Sequence, residues 1–97
     1  KWIPILDAGI AAREKGIYPS FDLGKDDDVF IKFKMHLIGN VWPNDAAYPD
    51  WFNPKAVTWW KTELKHFFNH LSFDGLWEDM NEASNFCSGY CYDDQKQ

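Results

Sequence analysis

Asp74-Gly75-Leu76-Trp77-Glu78-Asp79-Met80-Asn81-Glu82 is the stretch whose reading decides the fold. A short apolar run over residues 73–77 ends abruptly in three acidic groups, Glu78, Asp79 and Glu82. A strand that delivers carboxylates at its C-terminal end is how a (β/α) barrel builds its site. The bland alternative is a strand that runs out into a solvated acidic loop. Neighbouring side chains on a strand point to opposite faces, so Glu78 and Asp79 are expected to diverge. That divergence keeps two like charges from suppressing each other's ionisation.

Immediately upstream lies the clearest helix. Asn53 is a good N-cap and Pro54 suits the first helical position, where no N–H is needed. Val57, Trp60, Leu64, Phe67, Phe68 and Leu71 recur at steps of three and four and predict one apolar stripe. His66 and His70 have metal-like spacing, but no Glu stands at the metalloprotease position and no third ligand follows. Further back, residues 2–8 form a near-continuous apolar run ending in Asp7, as in strands buried on both faces of a parallel sheet. Pro4 inside it marks a bulge or the strand's start. Strand, helix, strand in that order gives two parallel neighbours joined by one right-handed crossover. Asp7 and Asp79 then emerge at the same end. A cap on the following segment is the bland alternative for Asp7.

The middle of the chain is less regular. Residues 11–16 hold good helix formers closed by Gly16 and predict one or two helical turns. Tyr18-Pro19-Ser20 is expected to break them. Residues 23–28 read as a polar turn; Asp26, Asp27 and Asp28 lack the alternating ligands and distal Glu of a calcium loop. Val29, Ile31, Phe33 and Met35 alternate with Lys32, Lys34 and His36, which predicts an exposed strand with His36 on the surface. Residues 37–40 are expected to turn it. Residues 41–54 carry three prolines with Trp42, Tyr48, Trp51 and Phe52, and read as an aromatic-rich loop of the kind that binds.

Composition narrows the classes. The 97 residues are 45% hydrophobic and 26% charged, so disorder is excluded by composition. Aromatics reach 19%, with six Trp, a stock suited to a large core or to a cleft that stacks on pyranose rings. The net charge of −5 argues against nucleic-acid or anionic-membrane partners. No apolar run approaches the roughly 20 residues of a membrane span. Cys87 and Cys91 fit neither zinc nor thioredoxin spacing. A disulfide, with each other or with other segments, is expected in an exported protein. The sequence begins inside a strand-like pattern and ends in a polar tail. A complete barrel needs about 250 residues, so residues 1–97 are expected to be a fragment supplying two or three strands.

Gly75-Leu76-Trp77-Glu78-Asp79-Met80-Asn81-Glu82, continued by Ser84-Asn85-Phe86, resembles the nucleophile motif of glycoside hydrolase family 31, the α-glucosidases. Eight ordered residues including Trp, Met and Asn make the match specific. Leu6-Asp7-Ala8-Gly9-Ile10 is similar to that family's preceding strand end. Val41-Trp42-Pro43-Asn44, followed by Tyr48-Pro49-Asp50-Trp51-Phe52-Asn53-Pro54, is similar to its aromatic segment. Glu78 stands where the family is usually apolar, Ala83 where it has Pro, and Asn44 where it has Gly. Asn tolerates positive φ, so the turn at Asn44 survives the exchange.

The resemblance implies a partial (β/α)8 TIM barrel of α/β class, with an inserted hairpin-like loop and one long helix. It implies a retaining mechanism with Asp79 as nucleophile and Glu82 as an orienting or electrostatic neighbour. Asp7, Trp42, Trp77 and Met80 would line the sugar pocket. The acid partner should sit about 5 Å from Asp79 and has no candidate in this chain. No metal or organic cofactor is implied. The implied partners are an α-glucoside oligosaccharide and the remaining segments of the parent enzyme; the implied compartment is secreted, lysosomal or otherwise exported. Two further readings stay open: an inactive relative kept as a binding or structural subunit, suggested by Glu78, Ala83 and Asn44, and α-xylosidase or lyase specificity.

Overall fold

The computed structural model describes residues 1–33 and 35–87. Its elements are β1 (Ile5–Asp7), β2 (Ile10–Ala11), α1 (Pro19–Asp26), β3 (Lys32–Phe33), β4 (Met35–His36), β5 (Ile38–Val41), β6 (Asn44–Ala47), α2 (Pro54–His70) and β7 (Trp77–Asp79). They form three small sheets: a parallel pair β1–β7, an antiparallel sheet ordered β2–β6–β5, and a short hairpin β3–β4.

The parallel pair is the crossover product read from the sequence. Ile5, Leu6 and Asp7 lie opposite Trp77, Glu78 and Asp79. Pairing extends upstream, because Trp77 N–H donates to the Pro4 carbonyl and Asp74 N–H to that of Trp2, both at 2.9 Å. Pro4 therefore serves as an acceptor just before β1, where its missing N–H costs nothing. The pairing also corrects the expected span of the second strand. The ladder covers 77–79 instead of 73–77, so two of the acidic residues belong to the strand itself.

Between these strands the structure departs from expectation in several places. Residues 11–16 hold no helix; β2 occupies their start, because Ile10 and Ala11 find partners in Ala47 and Ala46 of β6. The helix is displaced to α1, where a break and a polar turn were expected. Pro19 starts it at a position that needs no N–H, and Asp22 in the first turn and Lys25 in the last complement the helix dipole. The run of aspartates ends it. Asp28 adopts φ 59, its N–H bonds the Lys25 carbonyl at 3.1 Å, and Val29 N–H bonds that of Gly24 at 3.0 Å. This is a Schellman closure with Asp in the position usually held by Gly.

The expected exposed strand over 29–36 is also broken up. Val29 and Phe30 are buried in the core, with an isolated bridge from Phe30 to Pro49, and the hairpin β3–β4 follows. His36 is half-buried, packing edge-on to the Phe30 ring at 6.1 Å. Residues expected to be turn and loop form β5 and β6, closed by a two-residue turn at Trp42-Pro43. Asn44 takes φ 73 there, the left-handed conformation that Asn tolerates.

Helix α2 starts where predicted. Asn53 Oδ1 accepts from Lys55 N–H at 3.0 Å, and Asn53 Nδ2 donates to the Asp28 carbonyl at 2.9 Å. One side chain thus caps α2 and ties it to the end of α1. The buried stripe is rotated from the predicted one. Ala56 and Trp59 face the core, whereas Val57, Phe68 and Leu71 are exposed. Trp59 is 2% exposed, packs against Phe30 at 5.5 Å between ring centroids, and donates its indole N–H to the Ser20 carbonyl at 3.2 Å. Ile10, Phe21, Val29, Phe30, Ala47, Ala56 and Trp59 make the core cluster. Gly24 lets α1 approach it: a Cβ there would stand 2.5 Å from the Phe30 ring.

Candidate active site

Asp7 and Asp79 are register partners at the C-terminal ends of β1 and β7. Adjacent strands lie roughly 4.8 Å apart, and directly opposed residues share a face. Ile5 and Trp77, two residues earlier, share that face as well. Glu78 and Leu6 lie on the opposite face, where with Ala8, Trp51, Trp60 and Asn81 they line a small cleft under α2. The expected divergence of Glu78 from Asp79 is therefore how the strand is built.

The chain leaves β7 through a tight turn. Met80 adopts φ 57, an uncommon conformation for a long side chain. Its N–H donates to Asp79 Oδ1 at 2.9 Å, which fixes one carboxylate oxygen. Ser84 N–H then bonds the Met80 carbonyl at 3.1 Å. Met80 is half-buried in this turn, whereas Glu82 at its tip is exposed. Trp77 is 54% exposed on the Asp79 face.

Trp42 is brought to the motif by way of the loop after Met80. It sits at the tip of the β5–β6 hairpin, 72% exposed. Asn40 N–H donates to Asn85 Oδ1 at 2.9 Å, and Phe86 N–H donates to the Asn40 carbonyl at 2.8 Å. The Phe86 ring meets the Trp42 indole edge-to-face at 4.8 Å. On the other side of the hairpin, Arg13 Nη2 donates to the Pro43 carbonyl at 2.7 Å. A second anchor holds the start of the loop: Trp51 Nε1 donates to Asn81 Oδ1 at 3.1 Å, and Trp51 packs on Trp60 of α2 at 5.5 Å. Cys87, at the loop's end, is disulfide-bonded; Cys91 lies outside the described residues.

The anchoring residues Asn81, Asn85, Phe86 and Asn40 had no role in the sequence reading. Asn81 and Ser84-Asn85-Phe86 were visible as parts of the motif. Their contacts join segments 30 and 45 residues apart, which no local pattern encodes. A cleft of about 360 Å³ lies between α2 and β1, lined by Tyr18, Trp59, Trp60, Phe67 and His70 with Asp7 at its rim. It does not include Asp79 or Trp42 and is a gap between packed elements. Among the described residues no group of three His, Cys, Asp or Glu could hold a metal ion.

A family model described as the glycosyl hydrolases family 31 TIM-barrel domain matches residues 1–97. The chain is 46% identical over 92 residues to alpha-xylosidase 1 of Arabidopsis thaliana, covering 94% of this chain and 10% of that protein. It is 42% identical over 97 residues to an alpha-glucosidase of Aspergillus oryzae, with 94% and 10% covered. Among solved structures it is similar to a Tris-bound glucosidase II alpha subunit, with a TM-score of 0.73 and 35% identity over 84% of this chain and 9% of that one. The chain thus spans about a tenth of the length of the curated relatives it matches.

Proposed function

The chain belongs to glycosyl hydrolases family 31, and from that premise we propose that it is the part of a retaining α-glucosidase barrel that carries the nucleophile. Two parallel barrel strands, a hairpin insertion and one long helix are its contribution. Asp79 attacks the anomeric carbon, a covalent glycosyl ester forms, and water then releases the sugar. Asp7 faces the sugar from the neighbouring strand. Trp77, Met80 and Trp42 wall the pocket, and Glu82 acts as an electrostatic neighbour. The general acid comes from another segment of the full-length enzyme, about 5 Å from Asp79. The observation that carries this reading is the register of Asp7 with Asp79 at the C-terminal end of a parallel pair. Barrel enzymes place their chemistry at that end.

The substrate is a terminal α-linked glucose of an oligosaccharide. An exported compartment is supported by the disulfide at Cys87. A retaining α-xylosidase is the second reading, favoured by the 46% identity to a protein of that name. The inactive-subunit reading loses one motive, because Glu78 lies on the strand face away from Asp79.

Incubating the full-length enzyme with a 2-deoxy-2-fluoro-α-glucosyl donor and digesting it tests the nucleophile. A peptide heavier by one fluoroglucosyl unit at Asp79 is expected. An unlabelled Asp79 in an enzyme that still hydrolyses maltose would move the nucleophile elsewhere. Relative kcat/KM on maltose and on an α-xyloside decides between the two substrates.

A further inference from the structure

We propose that Trp51 is a positioning residue for the nucleophile, acting through Asn81 on the turn that holds Asp79; this rests on the α-glucosidase reading above. Trp51 Nε1 donates to Asn81 Oδ1 at 3.1 Å. The turn over residues 50–53 aims the indole there. Asp50 Oδ1 accepts from Phe52 N–H at 3.1 Å, and the Asp50 carbonyl accepts from Asn53 N–H at 2.9 Å. Trp51 is half-buried as a result, whereas Phe52, next along the chain, is 99% exposed. Of two adjacent aromatics, the one turned inward is the one with an N–H to give. A Phe could fill the same space but has no donor.

Behind the indole stands the buried side of α2. Trp51 packs edge-to-face on Trp60 at 5.5 Å between ring centroids, Trp60 lies 5.8 Å from Trp59, and Trp59 is 2% exposed. With Leu6, Ala8 and Glu78, the side chains of Trp51, Trp60 and Asn81 enclose a space of about 10 Å³, room for at most one water. On the other side of Asn81 lies Met80. Its φ of 57 is a conformation that a long side chain keeps only where its surroundings fix it. Its N–H bonds Asp79 Oδ1, its carbonyl accepts from Ser84 N–H, and the residue after it is tied to Trp51. The first two bonds lie within the turn and move with it. Of the three, the bond to Trp51 is the one that reaches the helix layer. Without it the turn and the Asp79 carboxylate shift together, and a misplacement of about 1 Å at the attacking oxygen lowers the rate steeply.

The test uses the full-length enzyme. Trp51→Phe keeps a ring against Trp60 and removes the donor; Asn81→Leu keeps the shape and removes the acceptor. Each is expected to lower kcat on maltose about tenfold with KM within about twofold, the pattern of lost alignment with binding intact. The rate at which a 2-deoxy-2-fluoro-α-glucosyl donor labels Asp79 should fall by about the same factor. In an Asn81→Leu background, Trp51→Phe should change kcat by less than about twofold, because the bond it breaks is already gone. With 5-fluorotryptophan incorporated, the ¹⁹F signal that disappears in Trp51→Phe should shift in Asn81→Leu. The signal that disappears in Trp2→Phe should stay in place. Equal kcat losses from Trp51→Phe in both backgrounds would overturn the proposal. So would a raised KM with kcat unchanged, or a Trp51 signal that Asn81→Leu leaves in place. Asn81→Ala gives the same readouts should the leucine variant fold poorly. An Asp79 that stays unlabelled in active wild-type enzyme sinks the catalytic reading. The fluorine signal needs no turnover and decides the tie between Trp51 and Asn81 by itself, so the two failures are told apart.

Discussion

Glu78 and Asp79 are adjacent in sequence and serve opposite faces of β7. Glu78 opposes Leu6 in the parallel ladder and lines the cleft under α2 with Trp60, while Asp79 opposes Asp7. The two should respond very differently to mutation. Asp79→Asn keeps the shape and the bond from Met80 N–H but cannot form the ester, so kcat on maltose should fall by about 10³-fold or more. Glu78→Ile, which supplies the apolar side chain usual in the family, should leave kcat/KM within about threefold. Steady-state rates of both variants check this, and equal losses would mean that strand alternation does not separate their roles. A second residue carries a pH signature. Burial against Phe30, aided by the charges of Lys32 and Lys25, pushes the His36 imidazole below its ordinary 6.5. The folded state then binds fewer protons than the unfolded chain just below that pH, so stability rises with pH there. This contribution is complete above about 6.5 and is lost as the pH falls towards the lowered folded value. Melting temperatures of the full-length enzyme should therefore drop less steeply between pH 7 and pH 5 in His36→Gln than in the wild type. Parallel slopes would show that His36 titrates as it does in an unfolded chain.

Helix α2 shows what the sequence makes readable and what it hides. Its start was legible because capping is local: Asn53 and Pro54 act on N–H groups one or two residues away. Its buried face was misread by about one residue's rotation. Val57 fits an apolar period, yet Ala56 and Trp59 are the residues that meet Phe30 and Val29 across the core. Periodicity locates a stripe, and the partner surface then selects its centre. The parallel pair of β1 and β7 was legible from element order, because a crossover through a helix admits one handedness. The β5–β6 hairpin was not, since its strands include Gly39, Asn40, Asn44 and Asp45, poor strand formers by composition. Their pairing is imposed by the β2 edge and by the tight approach of Tyr48 over Gly39, where a Cβ would stand within 3 Å of the phenol ring. The same contrast makes Asn53 a useful probe of element coupling. Asn53→Ala loses both the cap of α2 and the bond to the Asp28 carbonyl, and should destabilise by about 1–2 kcal/mol. Asn53→Asp keeps the cap and loses the Nδ2 donor, so denaturant melts should place it between alanine and wild type. Equal stability of Asp and wild type would mean that the α1–α2 tie contributes nothing measurable.

Across the whole molecule, the packing is uneven. One core lies between α1, α2 and the β2–β6–β5 sheet, sealed by Phe21, Phe30 and Trp59. The β1–β7 pair stands apart from it: on the face that bears Asp7 and Asp79, Ile5 is 51% and Trp77 54% exposed. Parallel strands are stable when both faces are covered, and a two-stranded sheet has no interior strand at all. Asp7 and Asp79 thus sit on a two-stranded pair whose shared face is largely uncovered. Asp7 and Asp79 need the neighbouring strands of a barrel to hold their spacing. A 97-residue polypeptide of this sequence, made alone, should therefore bind a hydrophobic dye such as ANS, hydrolyse no maltose, and exchange its β1 and β7 amides within seconds. The amides of α2 around Trp59 should exchange at least tenfold more slowly, because they back the sealed core. Hydrogen exchange read by mass spectrometry separates the two regions peptide by peptide. Equal protection of residues 4–8 and 56–63 would show that the parallel pair holds itself together, and that the candidate site depends less on the rest of a barrel than its exposed face implies.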